Sequence, residues 1–271
     1  MNWLNELFHE KKPIIGMCHL QALPGDPRYD KKLGMKWVVD KAITDVNALQ
    51  DGGVDAIMFS NEYSLPYLTK VNPETVAAMS RVIGELKHIL KIPFGVDCLW
   101  DPYASIDIAA ATEGKFVREV FTGVYASDFG LWNTNCGEAV RHQYEIGAEN
   151  VKLIFNIVPE AAKYLADREI ESIATTTVFN CKPDALCISG ATAGKAIDHE
   201  ILKRVKSAVG DTIVFANTGC RSNTIENLLK IADGAIVGTT FKIDGKFENA
   251  VDCNRVKEFM EIVKKFRKAL L

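Results

Sequence analysis

The segment Asp233-Gly-Ala-Ile-Val-Gly-Thr-Thr-Phe-Lys242 decides the fold prediction. Residues 235–237 have the small, apolar composition of a short buried strand, and they lead directly into a Gly-Thr-Thr turn. Glycine allows the backbone to approach an anion closely, and backbone N–H groups and threonine hydroxyls can then donate hydrogen bonds to it. The segment therefore predicts a buried strand that ends in a phosphate-binding turn.

A second segment, Thr212-Ile-Val-Phe-Ala-Asn-Thr-Gly219, has the same character of an apolar strand followed by polar residues and glycine. Two such strands with a helix between them are typical of the last third of a phosphate-binding TIM barrel, in which the loops after strands 7 and 8 bind the phosphate. The alternative is that Gly219 and Gly238 only end their strands. The occurrence of both segments in this order favours the phosphate site.

The rest of the chain repeats an alternation of apolar runs and amphipathic stretches. Strands are predicted at 13–19, 56–60, 93–98, 116–120, 151–157, 184–189, 212–217 and 234–238, and helices near 36–52, 74–90, 102–113, 136–147, 168–179, 198–208, 222–232 and 252–270. Asn72-Pro73 and Asp101-Pro102 predict helix N-caps, as does Ser222 or Asn223 with Glu226. The pattern predicts α/β class and a single (β/α)8 TIM-barrel domain over residues 1–271. A doubly wound open sheet is the alternative, but no Gly-x-Gly-x-x-Gly follows the first strand.

Composition limits the function classes. The chain of 271 residues is 48% hydrophobic and 25% charged, with a formal net charge of −3, so we expect neither nucleic-acid binding nor membrane insertion. Seven cysteines without a C-x-x-C pair are typical of reduced thiols, and no apolar run reaches the roughly 18 residues of a membrane span. We therefore expect a soluble cytoplasmic protein, and homo-oligomerisation is expected for barrels of this kind.

Polar residues at the predicted strand ends are the candidate catalytic groups, because TIM-barrel chemistry takes place at the C-terminal ends of the strands. Alternation along the strands predicts Arg118 and Lys152 to point into the barrel, where carboxylates or a bound anion must balance their charge. An internal layer of salt bridges that only fills the barrel is the alternative. The candidate catalytic residues are His19, Glu62, Asp97, Arg118 and Lys152.

The substrate-binding candidates surround the predicted phosphate loops. They are Asn61, Asn156, Ser189, Gly190, Thr192, Gly194, Asn217, Gly219, Gly238, Thr239 and Thr240. No cofactor is required by the sequence, although Mg²⁺ or Mn²⁺ is an alternative if Glu62, Asp97, Asp101 and Glu119 converge. No spacing signature supports that set, so no metal ligand is predicted.

Several motifs together resemble one family. The opening Gly16-Met-Cys-His-Leu20 with Ala22-Leu-Pro-Gly-Asp-Pro27, the segments Gly52-Gly-Val-Asp-Ala-Ile57 with Asn61 and Ile188-Ser-Gly-Ala-Thr-Ala-Gly194, the segment 233–242, and Asn249-Ala-Val-Asp-Cys-Asn-Arg-Val256 resemble the BtpA/SgcQ family over almost the whole chain. The resemblance implies a barrel similar to ribulose-phosphate-binding TIM barrels. The ends of strands 3 and 4, Gly95-Val-Asp-Cys-Leu99 and Arg118-Glu119-Val120, depart from the family pattern, which implies a shared phosphate site with a divergent substrate.

Two functions follow as hypotheses. The first is an enzyme acting on a phosphorylated sugar or similar small phosphometabolite, by isomerisation or epimerisation, by aldol cleavage through a Schiff base on Lys152, or by glycosidic cleavage with Asp97 and Glu62. One branch of the family is labelled a candidate nucleosidase. The second hypothesis is a non-enzymatic assembly or stability factor for a membrane complex, because another branch is named for a role in photosystem I accumulation.

Overall fold

Eight parallel strands form a closed barrel in a computed structural model that describes residues 3–160, 162–190 and 198–270. In chain order the elements are α1 (Trp3–Phe8), β1 (Ile14–His19), α2 (Gly34–Gly52), β2 (Ala56–Ser60), α3 (Pro73–Leu86), β3 (Phe94–Asp97), α4 (Pro102–Thr112), β4 (Phe116–Glu119), β5 (Val124–Ser127), β6 (Gly130–Asn133), α5 (Cys136–Glu145), β7 (Lys152–Ile157), β8 (Ala162–Tyr164), α6 (Ile170–Cys181), β9 (Ala185–Ile188), α7 (His199–Val209), β10 (Val214–Asn217), α8 (Ile225–Leu229), β11 (Gly234–Val237) and α9 (Cys253–Lys268).

The barrel order is β1-β2-β3-β4-β7-β9-β10-β11, and β11 pairs with β1 to close the sheet. All neighbouring barrel strands are parallel, so helices connect them along the outside. Each of the eight strands lies within two residues of its predicted bounds. The structure confirms the predicted (β/α)8 barrel.

Alternation along the strands divides the core into two layers. Side chains such as Met58, Phe116 and Phe215 fill the barrel interior. Their neighbours Phe59, Val117 and Val214 pack outward against the helices. Helix α1 closes the lower end of the barrel, where the ring of Phe8 lies 6.0 Å from that of Phe116.

Aspartates bind the strands together at the N-terminal end of the barrel. Each directly precedes one strand and accepts a hydrogen bond from the backbone N–H of a neighbouring strand: Asp55 from Ile14 (2.7 Å), Asp184 from Leu153 (2.9 Å) and Asp233 from Val214 (2.9 Å). A cation pairs with each carboxylate, namely Arg267, Lys152 and Lys206. This end of the barrel is therefore stabilised by charge-assisted hydrogen bonds.

Two features were not predicted from the sequence. Helix α1 precedes the first strand, and β5, β6 and β8 form a small antiparallel sheet in the order β6-β5-β8 beside the C-terminal end of the barrel. Within the described residues, no helix combines the length and the apolar character needed to cross a bilayer.

The predicted helix caps differ in outcome. Asp101 caps α4, because its carboxylate accepts hydrogen bonds from the backbone N–H groups of Tyr103 and Ala104. Asn72 precedes Pro73 at the start of α3 but makes no side-chain cap hydrogen bond. The prediction of a cap at Ser222 or Asn223 is wrong, since α8 begins only after Thr224.

Candidate active site

A ring of buried polar side chains occupies the C-terminal ends of the strands, above the apolar interior of the barrel. Its members are His19, Ser60, Asp97, Arg118, Asn156 and Asn217. They continue the inward alternation of the strands, as Arg118 does after Phe116 and Asn156 after Ile154. The interior of the barrel is therefore apolar up to its last inward-facing layer of side chains, and that layer is polar.

Asp97 and Arg118 form a buried ion pair in this ring. Arg118 Nη2 donates a hydrogen bond to Asp97 Oδ2, and both side chains are almost completely buried. The guanidinium carbon also lies 5.5 Å from the centre of the Trp100 ring. With its amide oxygen turned toward Arg118, Asn156 accepts a hydrogen bond from Nη1 at 3.2 Å. These contacts fix the guanidinium at the floor of the site.

Burial sets the protonation of this pair. Burial raises the pKa of Asp97 to about 7, although Arg118 opposes the shift; the carboxylates of Glu62 and Glu160 raise it further. Burial works against the charge of Arg118, but Asp97 together with the weaker attraction of Cys187, Glu160 and Glu119 outweighs it, so the pKa of the guanidinium is raised. Arg118 therefore remains a cation.

His19 and Glu62 lie next to each other on the wall of the site. The distance between His19 Nε2 and Glu62 Oε1 is 3.9 Å, and the hydroxyl of Tyr67 donates a hydrogen bond of 2.9 Å to Glu62 Oε2. Burial lowers the pKa of His19 well below its ordinary value, and the charges of Lys242 and Arg118 lower it further. Burial also raises the pKa of Glu62. His19 is therefore neutral at neutral pH, beside a carboxyl group that binds protons more readily than usual.

The segment 242–251 covers His19. The ring of Phe247 lies 5.5 Å from that of His19 and 5.0 Å from that of Tyr63, whose hydroxyl donates to the Phe247 carbonyl oxygen at 2.6 Å. At the start of the segment, Lys242 Nζ donates to the carbonyl oxygen of Asn249 at 3.0 Å. These contacts hold Phe247 over the imidazole and account for the burial of His19.

Glycine and threonine residues from the loops after β10 and β11 form the other end of the site, which begins next to His19. Thr240 Oγ1 donates to the carbonyl oxygen of Cys220 at 2.6 Å, which joins the two loops. Gly238 precedes the short 3-10 helix Thr239–Phe241, and a Cβ atom at Gly238 would lie 3.0 Å from His19 Nε2. Arg255 of α9 donates from Nε to the carbonyl oxygen of Thr240 at 3.0 Å. A cationic side chain is thus fixed against the glycine loops.

The two ends belong to one cavity of about 620 Å³, a volume typical of small-molecule sites. Eight of the predicted site residues line it: His19, Glu62, Arg118, Asn217, Gly219, Gly238, Thr239 and Thr240. Further lining residues that sequence reasoning missed are Tyr67, Trp100, Phe129, Glu160, Arg221, Phe247 and Arg255. The cavity therefore joins a glycine- and arginine-rich end to an end that carries carboxylates and histidine.

Other predicted residues support the site from behind. Asn61 Oδ1 accepts from the backbone N–H of Leu99 at 2.7 Å. Asn217 Nδ2 donates to Ser189 Oγ at 2.9 Å, and Gly190 N donates to Thr218 Oγ1 at 3.2 Å. Predicted residues Thr192 and Gly194 lie outside the described residues.

The structure does not bring Lys152 to this cavity. Lys152 is the first residue of β7, and its Nζ lies 3.1 Å from Asp184 Oδ1 at the N-terminal end of the barrel. The side chain is 33% exposed. The prediction of Lys152 as a cation inside the barrel at the active site is therefore wrong. Alternation predicts which face of the strand a residue lies on, but not at which end of the barrel it lies.

Buried polar atoms that have no hydrogen-bond partner among the described residues concentrate at this end of the barrel. Those in or next to the site are His19 Nδ1, Ser60 Oγ, Asp97 Oδ1, Trp100 Nε1, Arg118 Nε, Glu119 Oε1 and Glu160 Oε2. An unpaired buried polar atom costs about 1–3 kcal/mol. A bound ligand or water that pairs with these atoms would recover that free energy.

The alternative metal ligands do not converge. Asp101 caps α4 and accepts from the backbone N–H of Val71 at 3.0 Å, and Glu119 lies on the opposite face of β4 from Arg118. In the parts of the chain that the structure describes, no group of three or more His, Cys, Asp or Glu side chains could hold a metal ion. The geometry thus gives the Mg²⁺ or Mn²⁺ alternative no support.

Comparison with protein families assigns the chain. The BtpA family model matches residues 10–265. The chain belongs to the BtpA family. Among its members, the sgc region protein SgcQ of Escherichia coli (strain K12) is 61% identical over 268 residues, which cover 99% of this chain and 100% of that protein. The photosystem I biogenesis protein BtpA of Synechocystis sp. (strain ATCC 27184 / PCC 6803 / Kazusa) is 30% identical over 95% of this chain and 90% of its own length. The predicted family is confirmed.

Solved structures with the same fold have unrelated sequences. A structure described as native KDPGal is 15% identical with a TM-score of 0.60, over 99% of this chain and 100% of its own. Orotidine 5'-phosphate decarboxylase from Pyrococcus horikoshii OT3 is 13% identical with a TM-score of 0.57, over 93% of this chain and 99% of its own. Phosphoribosyl anthranilate isomerase from Thermococcus kodakaraensis is 10% identical with a TM-score of 0.54, over 93% and 99%. These similarities show the barrel fold.

Proposed function

We propose that this protein is an enzyme that acts on a phosphorylated sugar or a similar small phosphometabolite by acid–base proton transfer. One observation carries the proposal, namely that a single cavity lies at the C-terminal end of the barrel. Arginine and glycine residues line one part of this cavity, and His19, Glu62 and Arg118 line the other. TIM-barrel enzymes place their chemistry at this end. Solved barrels of the same fold include enzymes whose names contain phosphorylated compounds.

The glycine end suits a phosphate group. Arg221 and Arg255 line the cavity there and supply positive charge. The absence of a side chain at Gly219 and Gly238 leaves the backbone open to an anion, and the loops that follow the last two barrel strands are the usual phosphate site of this fold. We assign the phosphate to the space between these loops.

The opposite end suits proton abstraction next to a carbonyl group. Glu62, with its raised pKa, is the base that removes a proton from carbon and, in an isomerisation, returns it to the neighbouring carbon. Neutral His19 donates a hydrogen bond to the substrate oxygen, and Arg118 stabilises the negative charge that develops on it. Asp97 and Asn156 hold the guanidinium in place.

The positions of the other candidates favour isomerisation or epimerisation over the remaining reaction types. A Schiff base on Lys152 has no support, because that side chain lies at the far end of the barrel. Glycosidic cleavage by Asp97 and Glu62 requires two accessible carboxyl groups, whereas Asp97 is fully buried and bonded to Arg118.

A thermal-shift experiment tests the phosphate site. The purified protein is screened against phosphorylated sugars and their unphosphorylated counterparts, and we expect only the phosphorylated compounds to raise the melting temperature. A ligand at 100 times its Kd stabilises the fold by about 2.7 kcal/mol, which corresponds to about 5 °C or more. Gly238→Asp should abolish the shift by placing a negative side chain beside the loops.

Gly84→Asp is the matched control, because Gly84 lies in α3 and a Cβ atom there would meet no atom within 4 Å. The control variant should retain the full shift. A panel in which no phosphorylated sugar raises the melting temperature would contradict the proposal, as would a shift that survives Gly238→Asp.

A second function, assembly or stabilisation of a membrane complex, has one observation in its favour. The outer surface exposes large apolar side chains on neighbouring helices, with Phe179 79% and Tyr144 63% exposed, and a relative is named a photosystem I biogenesis protein. Cells that lack the protein can be complemented with Phe179→Ser or with Glu62→Gln. Loss of function only in Phe179→Ser would favour assembly, and loss only in Glu62→Gln would favour catalysis.

A further inference from the structure

The end of the cavity opposite the phosphate loops carries more negative than positive charge. Arg118 forms its ion pair with Asp97, and neither Glu62 nor Glu160 is in an ion pair with a lysine or arginine among the described residues, although Arg118 attracts both carboxylates from a distance and Lys242 also attracts Glu62. Glu62 accepts only the neutral hydroxyl of Tyr67 and approaches His19, which is uncharged. Glu160 Oε2 is buried and has no hydrogen-bond donor among the described residues. Glu62 and Glu160 therefore face the cavity without a direct ion-pair partner there.

Aromatic rings surround the same end. Tyr67, Trp100 and Phe129 line the cavity and support one another edge to face, with 6.2 Å between the ring centres of Tyr67 and Trp100 and 5.8 Å between those of Tyr67 and Phe129. Trp100 is 4% exposed, and its indole N–H has no acceptor in the part of the chain that the structure describes. Phe129 lies in the turn between β5 and β6, so the small antiparallel sheet supplies part of this wall.

Carboxylates and aromatic faces together are the partners that proteins use for ammonium ions. The carboxylates supply the opposite charge and charge-assisted hydrogen bonds, and the aromatic rings supply cation–π attraction and exclude water. No lysine lines the cavity within the described residues, so no ammonium group of the protein occupies this place there. Because Asp97, Glu62 and Glu160 share the single guanidinium of Arg118, a neutral sugar hydroxyl would leave an excess of carboxylate charge at this end.

We infer that the substrate carries a primary amino group in addition to its phosphate, and that Glu160 and the ring faces of Tyr67 and Phe129 bind this group as an ammonium ion, while the nearby charge of Glu62, which stays the base, adds to the attraction. The inference rests on the proposed function and specifies its substrate class as a phosphorylated amino sugar or a smaller amino phosphate. Phosphate binds between Arg221 and Arg255, and the ammonium ion binds at the carboxylate end. The two charged ends of the cavity then match the two charged ends of the substrate.

Matched pairs of ligands test the inference by isothermal titration calorimetry at pH 7. The first pair is glucosamine 6-phosphate and glucose 6-phosphate, and the second is phosphoethanolamine and 2-hydroxyethyl phosphate; inorganic phosphate is the probe for the anion site alone. We expect the amino member of at least one pair to bind on the order of tenfold more tightly than its hydroxyl counterpart. Glu160→Gln should remove that preference and leave the affinity for the hydroxyl member unchanged.

Glu149→Gln, a change of an exposed glutamate just before β7, is the control and should keep the preference. Glu62→Gln, examined for folding by circular dichroism, provides a second variant that should also lose it. Equal affinity within both pairs, or a preference that survives both glutamine variants, overturns the amino-group inference while phosphate binding still supports the proposed function. If neither inorganic phosphate nor any phosphorylated ligand binds, the proposed function fails as well.

Discussion

At the residue scale, the Asp97–Arg118 ion pair is costly to break, and it holds the guanidinium of Arg118 in place. Both side chains are almost completely buried, so removal of one partner leaves the other as an unpaired buried charge. Such a loss costs about 3–5 kcal/mol. We expect Asp97→Asn to lower the free energy of unfolding by about 3 kcal/mol in urea titrations. The double variant Asp97→Asn/Arg118→Met should lose less than the sum of the two single changes, and strict additivity would show that the charges do not interact.

The burial of Glu119 predicts that the free energy of unfolding depends on pH. The side chain is completely buried, and burial raises its pKa well above the ordinary value, with the charge of Asp97 adding to the shift. Above the unfolded pKa of about 4.3, the folded state holds more protons at this site than the unfolded state does. The free energy of unfolding therefore falls as pH rises from there toward the folded pKa, by up to about 1.4 kcal/mol per pH unit.

Glu119→Gln removes this contribution, and its amide oxygen can still accept the hydrogen bond from Val120 N. The difference in unfolding free energy between variant and wild type should move in favour of the variant between pH 5 and pH 8. Urea unfolding across this range measures it, with Glu149→Gln as an exposed control. A pH-independent difference would show that Glu119 ionises equally well in both states.

At the scale of elements, two helices that both begin with an X-Pro pair allow a matched comparison. Asp101 caps α4 through Tyr103 N and Ala104 N and also accepts from Val71 N, whereas Asn72 caps α3 without a side-chain hydrogen bond. Asp101→Ala should destabilise the protein by about 1–3 kcal/mol, and Asn72→Ala by a few tenths of a kcal/mol. Thermal or urea unfolding of the two variants tests this difference, and similar losses would contradict it.

The elements that sequence could predict are those with local signals. The barrel strands are apolar runs bounded by turns or caps, and Asp101-Pro102 marks a helix start on its own. Strands β5, β6 and β8 gave no such signal, because they are three or four residues long and β5 pairs with a distant part of the chain, as in Tyr125 with Tyr164 of β8, 39 positions later. The height of Lys152 in the barrel likewise depends on the register of β7 with β4, which alternation does not determine.

At the scale of the whole molecule, barrel closure explains which parts of the cavity could be predicted. His19, Glu62 and Arg118 follow or end strands, and a closed parallel barrel brings all strand ends to one rim. Arg255, Phe129 and Glu160 reach the same cavity from a helix, a hairpin turn and a loop. The positions of these three side chains depend on how α9 and the small sheet pack on the barrel. The sequence pattern alone does not give that packing.

The N-terminal end of the barrel contributes to stability and the C-terminal end to ligand binding, and substitution of Lys152 tests this division. At the N-terminal end, Lys152, Asp184 and the backbone N–H of Leu153 form a satisfied, half-exposed cluster, whereas unpaired polar atoms collect at the other end. Lys152→Met should cost no more than about 1 kcal/mol, because half-exposed ion pairs contribute little and Asp184 keeps its backbone partner. It should also leave the thermal shift produced by phosphorylated ligands unchanged, whereas Gly238→Asp, at the C-terminal end, should abolish that shift. If Lys152→Met removed the ligand-induced shift while the protein remained folded, the chemistry would have to extend through the barrel, and the assignment of the active site to the C-terminal cavity alone would be wrong.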